Sequence, residues 1–182
     1  TKKGVFENVS FNVYKGDKIG FVSSKESTIT ALFKILAGVD KDYTGSFTFG
    51  KTITVGYLPQ NYNEYFDNCN LNLVDWLAQF SKEKEQTFIR SWLGRMLFAG
   101  EEGLKKAKVL SGGEKVRCML ARMMLLSGNF LIFDEPTNHL DLESITALNK
   151  CLTNFKSNIL LASHDQELMQ TVATRIIRIE DT

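Results

Sequence analysis

The sequence has little cysteine, little proline and no long apolar run. Its three cysteines, Cys69, Cys118 and Cys151, are odd in number and widely spaced, so they fit neither a disulfide framework nor a CxxC metal site. Reduced thiols of this kind are typical of a cytoplasmic protein. No apolar run approaches the roughly 18 residues of a membrane-spanning helix, and the first residues do not resemble a signal peptide. We therefore expect no direct membrane insertion.

Net charge is also nearly absent. The 22 basic and 21 acidic residues almost cancel, so the charge of the whole chain does not indicate nucleic-acid binding, although a local patch can act alone. With 43% hydrophobic residues in 182 positions, the chain can bury a sizeable core. A strand-like pattern begins abruptly at Val5, which indicates a piece of a longer polypeptide.

Strand and helix patterns alternate along most of the chain, which favours a parallel sheet with helices on its faces. Apolar runs predict buried strands at 18–22, 130–133, 159–162 and 176–179. Further strands are predicted at 5–13, 47–49 and 53–58, and helices at 30–37, 114–126, 142–155 and 166–172.

The middle of the chain is mainly helical, with predicted helices at 71–80 and 85–98. We interpret 63–109 as a helical subdomain inserted into a core formed by 1–62 and 110–182. Between residues 81 and 108, seven basic side chains stand against four acidic ones. Contact with RNA is one interpretation of this excess, and a solvated helix face is the other.

One segment places two acids side by side at the end of a buried strand. Residues 131–141 read LIFDEPTNHLD, so an apolar run ends at Asp134 and Glu135. Catalytic groups of open α/β sheets lie at the carboxyl ends of strands, where neighbouring side chains point opposite ways. One acid can hold Mg²⁺ while the other deprotonates an attacking water. A solvated Asp-Glu turn is the alternative.

A second segment places a serine and two glycines before a predicted helix. Ser111, Gly112 and Gly113 precede a helix expected to start near Glu114. Backbone N–H groups at a helix N-terminus attract anions, and glycines allow a close approach. An ordinary helix capped by Ser111 is the alternative.

Together these segments resemble the ATP-binding cassette superfamily over nearly the whole chain. LSGGE is similar to the signature motif of that family, and LIFDE to its Walker B strand. Gln60 in GYLPQ resembles the Q-loop glutamine, Asp141 the D-loop aspartate, and His164 in ASHD the switch histidine. The resemblance implies an α/β fold like that of P-loop NTPases, with a mostly parallel sheet, an N-terminal antiparallel β part and the helical subdomain.

The resemblance also implies roles for these residues. Asp134 would bind Mg²⁺, Glu135 would be the general base, Gln60 would sense metal and water, and His164 would hydrogen-bond the γ-phosphate. The signature residues and Asp141 would contact ATP held by an opposite cassette. ATP is thus the implied substrate, Mg²⁺ the implied cofactor, and a second cassette, in the same polypeptide or in a homodimer, the implied partner.

The segment after the acids refines the resemblance. Residues 136–141 read PTNHLD, whereas transporter cassettes usually have a PTSALD-like sequence. This spelling resembles class F of the superfamily, whose members are soluble, carry two cassettes and in many cases act on the translating ribosome. The ATP-binding subunit of a membrane transporter and a non-hydrolysing, ATP-gated dimerisation module remain the alternatives.

The phosphate loop departs from the family pattern G-x-x-x-x-G-K-[ST]. The eight corresponding positions are Ser23, Ser24, Lys25, Glu26, Ser27, Thr28, Ile29 and Thr30. Both glycines and the lysine are replaced, and only the hydroxyl of Thr30 remains as a ligand for Mg²⁺. The missing lysine contact is worth ~1.5–3 kcal/mol, and Glu26 adds a negative charge.

We therefore predict a weak ATP site of the chain's own, beside a signature motif that serves a partner cassette. Altered loops of this sort are found in the second cassette of some class F proteins, so the resemblance suggests a C-terminal cassette. The aromatic residue that stacks on adenine in this family would lie just ahead of Val5.

Overall fold

A parallel β-sheet forms the centre of the computed structural model, which describes residues 5–138 and 140–180. Its five strands are β1 (Lys18–Ser23), β2 (Val55–Leu58), β3 (Phe130–Asp134), β4 (Asn158–Ala162) and β5 (Arg175–Ile179). They lie in the order β2-β3-β4-β1-β5, and every neighbouring pair is parallel. The predicted α/β architecture with a mostly parallel sheet is confirmed.

Six α-helices accompany the strands within the described residues. They are α1 (Glu26–Leu36), α2 (Leu73–Ala78), α3 (Gln86–Arg95), α4 (Gly112–Leu125), α5 (Leu142–Asn154) and α6 (Gln166–Val172). Short 3-10 turns occupy Asn63–Tyr65, Gly100–Leu104 and Ala107–Val109. Four helices begin at a side chain that accepts a backbone N–H of the first turn, namely Asn72, Ser111, Asp141 and Asp165, as helix N-caps do.

The strands alternate their side chains between two apolar layers, because successive residues of a strand point to opposite faces. Ile132 and Leu160 pack with Phe33 of α1 on one face. Leu131 and Leu161 pack on the other face. Every residue of β3 and β4 is buried, as expected for central strands covered by helices on both sides.

The helical middle region shares its core with the rest of the chain. Trp76 of α2 is buried, stacks on Phe66 with ring centroids 4.9 Å apart, and donates its indole N–H to the Tyr65 carbonyl. Arg122 of α4 lies over the rings of Tyr65 and Phe80. The division into 63–109 and a core of 1–62 and 110–182 stays a prediction, because one continuous apolar cluster spans both parts.

The predicted antiparallel β part is not found as strands among the described residues. Segments 5–13 and 47–49 run without strand assignment, and β2 starts at Val55 rather than near residue 53. Phe11 and Phe49 nevertheless contact the sheet, at 5.4 Å from the Phe21 ring and 5.2 Å from the Phe130 ring. The two segments line an open groove of about 1460 Å³. Their alternating apolar residues therefore reflect packing on the sheet rather than hydrogen-bonded pairing with a neighbouring strand.

Within residues 5–138 and 140–180, every helix is too short or too polar to cross a lipid bilayer.

Candidate functional site

The paired acids lie where the carboxyl ends of β3 and β4 meet. Asp134, the last residue of β3, is paired with Ala162, the last residue of β4. Glu135 continues this pairing, because its N–H donates to the Ala162 carbonyl at 2.9 Å. Asp134 and Glu135 expose only 2% and 6% of their surfaces, so the alternative of a solvated Asp-Glu turn does not hold.

Asp134 is held by two hydroxyl groups. Thr30 of α1 donates to Asp134 Oδ1 at 3.1 Å, and the Tyr57 hydroxyl of β2 donates to Oδ2 at 3.5 Å. Burial raises the pKa of Asp134, and burial together with the neighbouring Asp134 charge raises the pKa of Tyr57. The Asp134 carboxylate and the Thr30 hydroxyl oxygen are close enough to serve together as ligands of Mg²⁺, which prefers oxygen ligands.

Glu135 has a constrained backbone. Its φ angle is 50°, a left-handed conformation that costs a non-glycine residue on the order of 1–3 kcal/mol. The side chain is fixed by the backbone N–H of His164, which donates to Glu135 Oε2 at 3.2 Å. Burial raises the pKa of this carboxyl group. A buried carboxylate of raised pKa is suited to accept a proton from water.

Glu26 connects two of the predicted site residues. Its Oε1 lies 2.5 Å from His164 Nε2, and its Oε2 accepts from Gln60 Nε2 at 3.4 Å. The hydrogen bond with Glu26 raises the pKa of His164, and the same bond lowers the pKa of Glu26. The structure therefore joins Gln60 and His164 through a carboxylate of the chain itself.

The predicted phosphate loop is mostly helical. Helix α1 begins at Glu26 instead of near Thr30, so only Ser24 and Lys25 separate it from β1. The Lys25 N–H donates to the Ser23 hydroxyl at 3.3 Å, and the Ser27 side chain is exposed.

The interior of this turn is apolar where the family has its lysine. Thr28 and Ile29 are buried at 1% and 6% exposure, and Ile29 belongs to the cluster beneath α1. The cavity beside Asp134 and Glu135 measures about 80 Å³. It lies between this turn and the two acids.

The signature serine is a helix cap, as the simpler interpretation predicted. Ser111 Oγ accepts from the Glu114 N–H at 3.3 Å, and Glu114 Oε2 accepts from the Ser111 N–H at 2.9 Å. This reciprocal pair is a capping box. Lys105 Nζ lies 2.7 Å from Glu114 Oε1, which holds the acid in place. Ser111 remains exposed and Gly112 half-buried, so both can face a partner.

Gly113 has a packing role. A Cβ atom added at Gly113 would lie 2.0 Å from Ser144 Oγ and 2.8 Å from Ser144 Cβ. Ser144 stands in the first turn of α5, and its N–H donates to Asp141 Oδ1 at 2.7 Å. The N-terminal ends of α4 and α5 are thus in direct contact, which leaves Gly113 only its backbone N–H for an anion.

The acids and the signature motif occupy separate places. Ser111, Gly112 and Gly113 do not line the cavity formed by Asp134, Glu135 and His164. A single chain therefore does not bring its own signature to its own acids.

Sequence reasoning missed two residues of this region, Tyr57 and Ser144. Tyr57 lies in the GYLPQ segment, and its position on β2 beside Ile132 of β3 is the signal that could have indicated a contact with Asp134. Ser144 had no comparable signal, because its contact joins two helix ends far apart in sequence. Two sequence features fall outside the described residues, namely His139 of the PTNHLD segment and the adenine-stacking position ahead of Val5.

Comparison with known proteins shows the family to which the sequence belongs. A family model described as ABC transporter matches residues 6–138. The uncharacterized ABC transporter ATP-binding protein YkpA of Bacillus subtilis is 54% identical over 176 residues, which cover 96% of this chain and 33% of that protein. The energy-dependent translational throttle protein EttA of Escherichia coli is 29% identical over 180 residues, which cover 97% of this chain and 32% of that protein.

A solved structure supports the fold. The dimeric structure of MJ0796, a bacterial ABC transporter cassette, superposes with a TM-score of 0.78 at 17% identity and covers 97% of this chain and 86% of that chain. The chain spans about a third of the length of the curated relatives described above, as the resemblance to one cassette of a longer polypeptide implied. The chain belongs to the ABC transporter family and forms one of its ATP-binding cassettes.

Proposed function

We propose that the chain is one half of a pair of ATPase cassettes and binds ATP with Mg²⁺ at the interface between the two. The observation that carries this proposal is the separation of the acids from Ser111 and Gly112. Because one chain does not bring both halves of the site together, a second cassette has to supply the missing half. The dimeric structure of the MJ0796 cassette supports a pairing of this kind.

In this arrangement Asp134 and Thr30 hold Mg²⁺, which neutralises phosphate charge when bound. Glu135 orients the attacking water and accepts its proton, and the His164 N–H fixes the Glu135 carboxylate for this task. His164 lines the same cavity, and Gln60 Nε2 reaches the Glu26 carboxylate that also lines it, so both side chains can contact the terminal phosphate. Ser111, Gly112 and Asp141 face the nucleotide of the partner.

We further propose that the two sites of the pair are unequal. Ile29 replaces the phosphate-loop lysine and is buried in the apolar cluster beneath α1, and the Glu26 carboxylate lines the cavity beside the two acids. The chain's own site is therefore weak or slow. Its signature motif serves the phosphate loop of the other cassette.

The proposed setting is a cytoplasmic class F protein that acts on the ribosome. The PTNHLD spelling at 136–141 and the similarity to EttA, a translational throttle protein by name, support it. Co-sedimentation of the full-length polypeptide with ribosomes in ATP tests this setting. Recovery with membranes and not with ribosomes would favour the transporter alternative.

A non-hydrolysing dimerisation module is the second candidate, favoured by Ile29 at the position of the phosphate-loop lysine. Steady-state ATP hydrolysis by the full-length polypeptide, with and without Glu135→Gln, separates the two. An unchanged rate in the Glu135→Gln variant would mean that this site does not turn over ATP.

The helix cap allows the signature serine to be tested without unfolding the helix. Ser111→Asp is expected to keep the cap, because aspartate is as good an N-cap as serine, but to repel the partner's γ-phosphate. Ser111→Ala is expected to lose about 1 kcal/mol of stability with the cap. Thermal melts and ATP hydrolysis by the full-length polypeptide measure the two effects.

Comparing the melting temperature with the rate of ATP hydrolysis distinguishes the two roles of Ser111, as a helix cap and as a contact of the partner's phosphate. Our proposal expects Ser111→Asp to melt like wild type and yet lose most of the ATP hydrolysis. A stable Ser111→Asp variant with wild-type hydrolysis would show that the signature serine serves only as a cap.

A further inference from the structure

The Glu26 carboxylate lies between the two side chains that would recognise a terminal phosphate. His164 Nε2 lies 2.5 Å from one carboxylate oxygen and Gln60 Nε2 lies 3.4 Å from the other. Both are nitrogen donors, which suit any oxyanion. In this structure their common acceptor is a carboxylate of the same chain.

Several contacts hold Glu26 in that position. It stands in the first turn of α1, where the helix dipole favours an acidic side chain. His164 is fixed from the other side by its backbone hydrogen bond to Glu135. Glu26, His164, Asp134 and Glu135 line one cavity, so the Glu26–His164 contact lies at the entrance to the paired acids.

We propose that Glu26 is a specificity-determining residue that occupies the place of the nucleotide's terminal phosphate, so that this site discriminates against a nucleoside triphosphate relative to a diphosphate. This inference rests on the proposed function, because it treats Gln60 and His164 as contacts of the nucleotide. A γ-phosphate has to displace Glu26 from His164 and then lies near three carboxylates. A diphosphate ends one phosphate earlier and leaves the Glu26 contacts intact.

The carboxylates around the site do not all affect ATP and ADP in the same way. Asp134 and Glu135 repel any phosphate, but Mg²⁺ bound at Asp134 and Thr30 offsets that repulsion for both nucleotides. Glu26 is different because its partners are the phosphate-recognising side chains themselves. Its removal therefore changes the affinity for ATP more than the affinity for ADP.

The test is the substitution Glu26→Gln in the full-length polypeptide. Equilibrium dialysis with labelled ATP and labelled ADP, each with Mg²⁺, gives the dissociation constants of the tight and the weak class of site. Loss of one charge beside a phosphate corresponds to about a tenfold change or more. We expect the weak class to bind ATP at least about tenfold more tightly in Glu26→Gln, with a change below about threefold for ADP.

Glu167→Gln is the matched control. Glu167 is an exposed glutamate in the first turn of α6, and it does not line the cavity. This variant is expected to leave both affinities of the weak class at their wild-type values. Melting curves of both variants confirm that the fold is retained, since both replaced side chains are exposed.

Two results would overturn the inference. One is an equal gain in affinity for ATP and for ADP in Glu26→Gln, which would indicate simple removal of a negative charge. The other is an unchanged affinity of the weak class of site for ATP in Glu26→Gln. Neither result bears on the pairing of the cassettes, because that proposal is tested at the tight class of site through Ser111.

Discussion

Replacing Gly113 with alanine is expected to reduce ATP hydrolysis by the full-length polypeptide roughly a hundredfold, since a misplacement of about 1 Å near a reaction centre has that effect. The added methyl group would lie 2.0 Å from Ser144 Oγ, so α4 and α5 have to move apart. That movement displaces Ser111 at the start of α4 and Asp141 at the start of α5 together. The melting temperature is expected to fall as well, because overpacking costs about 1–3 kcal/mol.

Recovery of ATP hydrolysis by a second substitution would show that crowding against Ser144 causes the loss in Gly113→Ala. Ser144→Gly removes both atoms that the new methyl group would meet, so Gly113→Ala with Ser144→Gly is expected to recover most of the hydrolysis. Ser144→Ala removes only Oγ and leaves Cβ at 2.8 Å, so it is expected to restore the rate only in part. Ser144→Gly alone costs about 1 kcal/mol of helix stability.

This graded series separates packing from phosphate contact. If Gly113 acted only through its own contact with nucleotide, no change at Ser144 would restore the rate. A double variant no better than Gly113→Ala would therefore contradict the packing role.

Asp134→Asn is expected to stabilise the nucleotide-free protein while weakening the response of this site to Mg²⁺ and ATP. Asp134 is buried with two hydroxyl donors, and among the described residues it forms no ion pair. A buried charge without an ion pair is costly. The expected gain at neutral pH is about 1 kcal/mol, or ~2–4 °C for a chain of this size. Calorimetric melting with and without Mg²⁺ and ATP measures both effects.

The pH dependence of that gain follows from the raised pKa of Asp134, whose first cause is burial. The unfolded state loses this proton at a lower pH than the folded state does. Wild type therefore loses stability as pH rises from the unfolded pKa to the raised folded pKa, and the deficit is constant above it. The advantage of Asp134→Asn is expected to disappear at a pH below both values.

Asp141 provides a comparison of opposite sign. The Ser144 N–H lowers the pKa of Asp141, so its contribution is present above the unfolded pKa and is lost as pH falls through the folded pKa. An Asp134→Asn protein that melts below wild type at neutral pH would contradict the account of Asp134 as an uncompensated buried charge.

Local patterns in the sequence predicted the strands of the parallel sheet to within one residue, apart from the start of β2, which lies two residues later than predicted. They also located the paired acids, because a buried apolar run that ends in Asp134 and Glu135 is a signal within one segment. The cap at Ser111 was readable for the same reason, since Glu114 follows three residues later. Features that depend on neighbouring residues are the predictable part of this site.

Features that depend on distant residues were not predictable from patterns. The contact between Glu26 and His164 joins residues 138 positions apart, and the contact between Gly113 and Ser144 joins two helix ends. The predicted start of α1 at residue 30 is too late, because the apolar spacing that indicates the helix begins only after its polar first residues. Without glycines that segment favours right-handed backbone angles, and the helix starts at Glu26.

The N-terminal strands show a different limit. The prediction of a strand at 5–13 from alternating apolar residues is wrong, although Phe11 packs on Phe21. A strand also needs a hydrogen-bonded neighbour, and a period of two residues does not reveal whether one is present.

The central claim is that this cassette contributes its signature to ATP held by another cassette and holds ATP weakly itself. The most direct test counts ATP molecules retained per full-length polypeptide after rapid gel filtration with Mg²⁺. We expect about one in wild type, and almost none in Ser111→Asp. Two equally retained ATP molecules, or retention that Ser111→Asp leaves unchanged, would contradict the account.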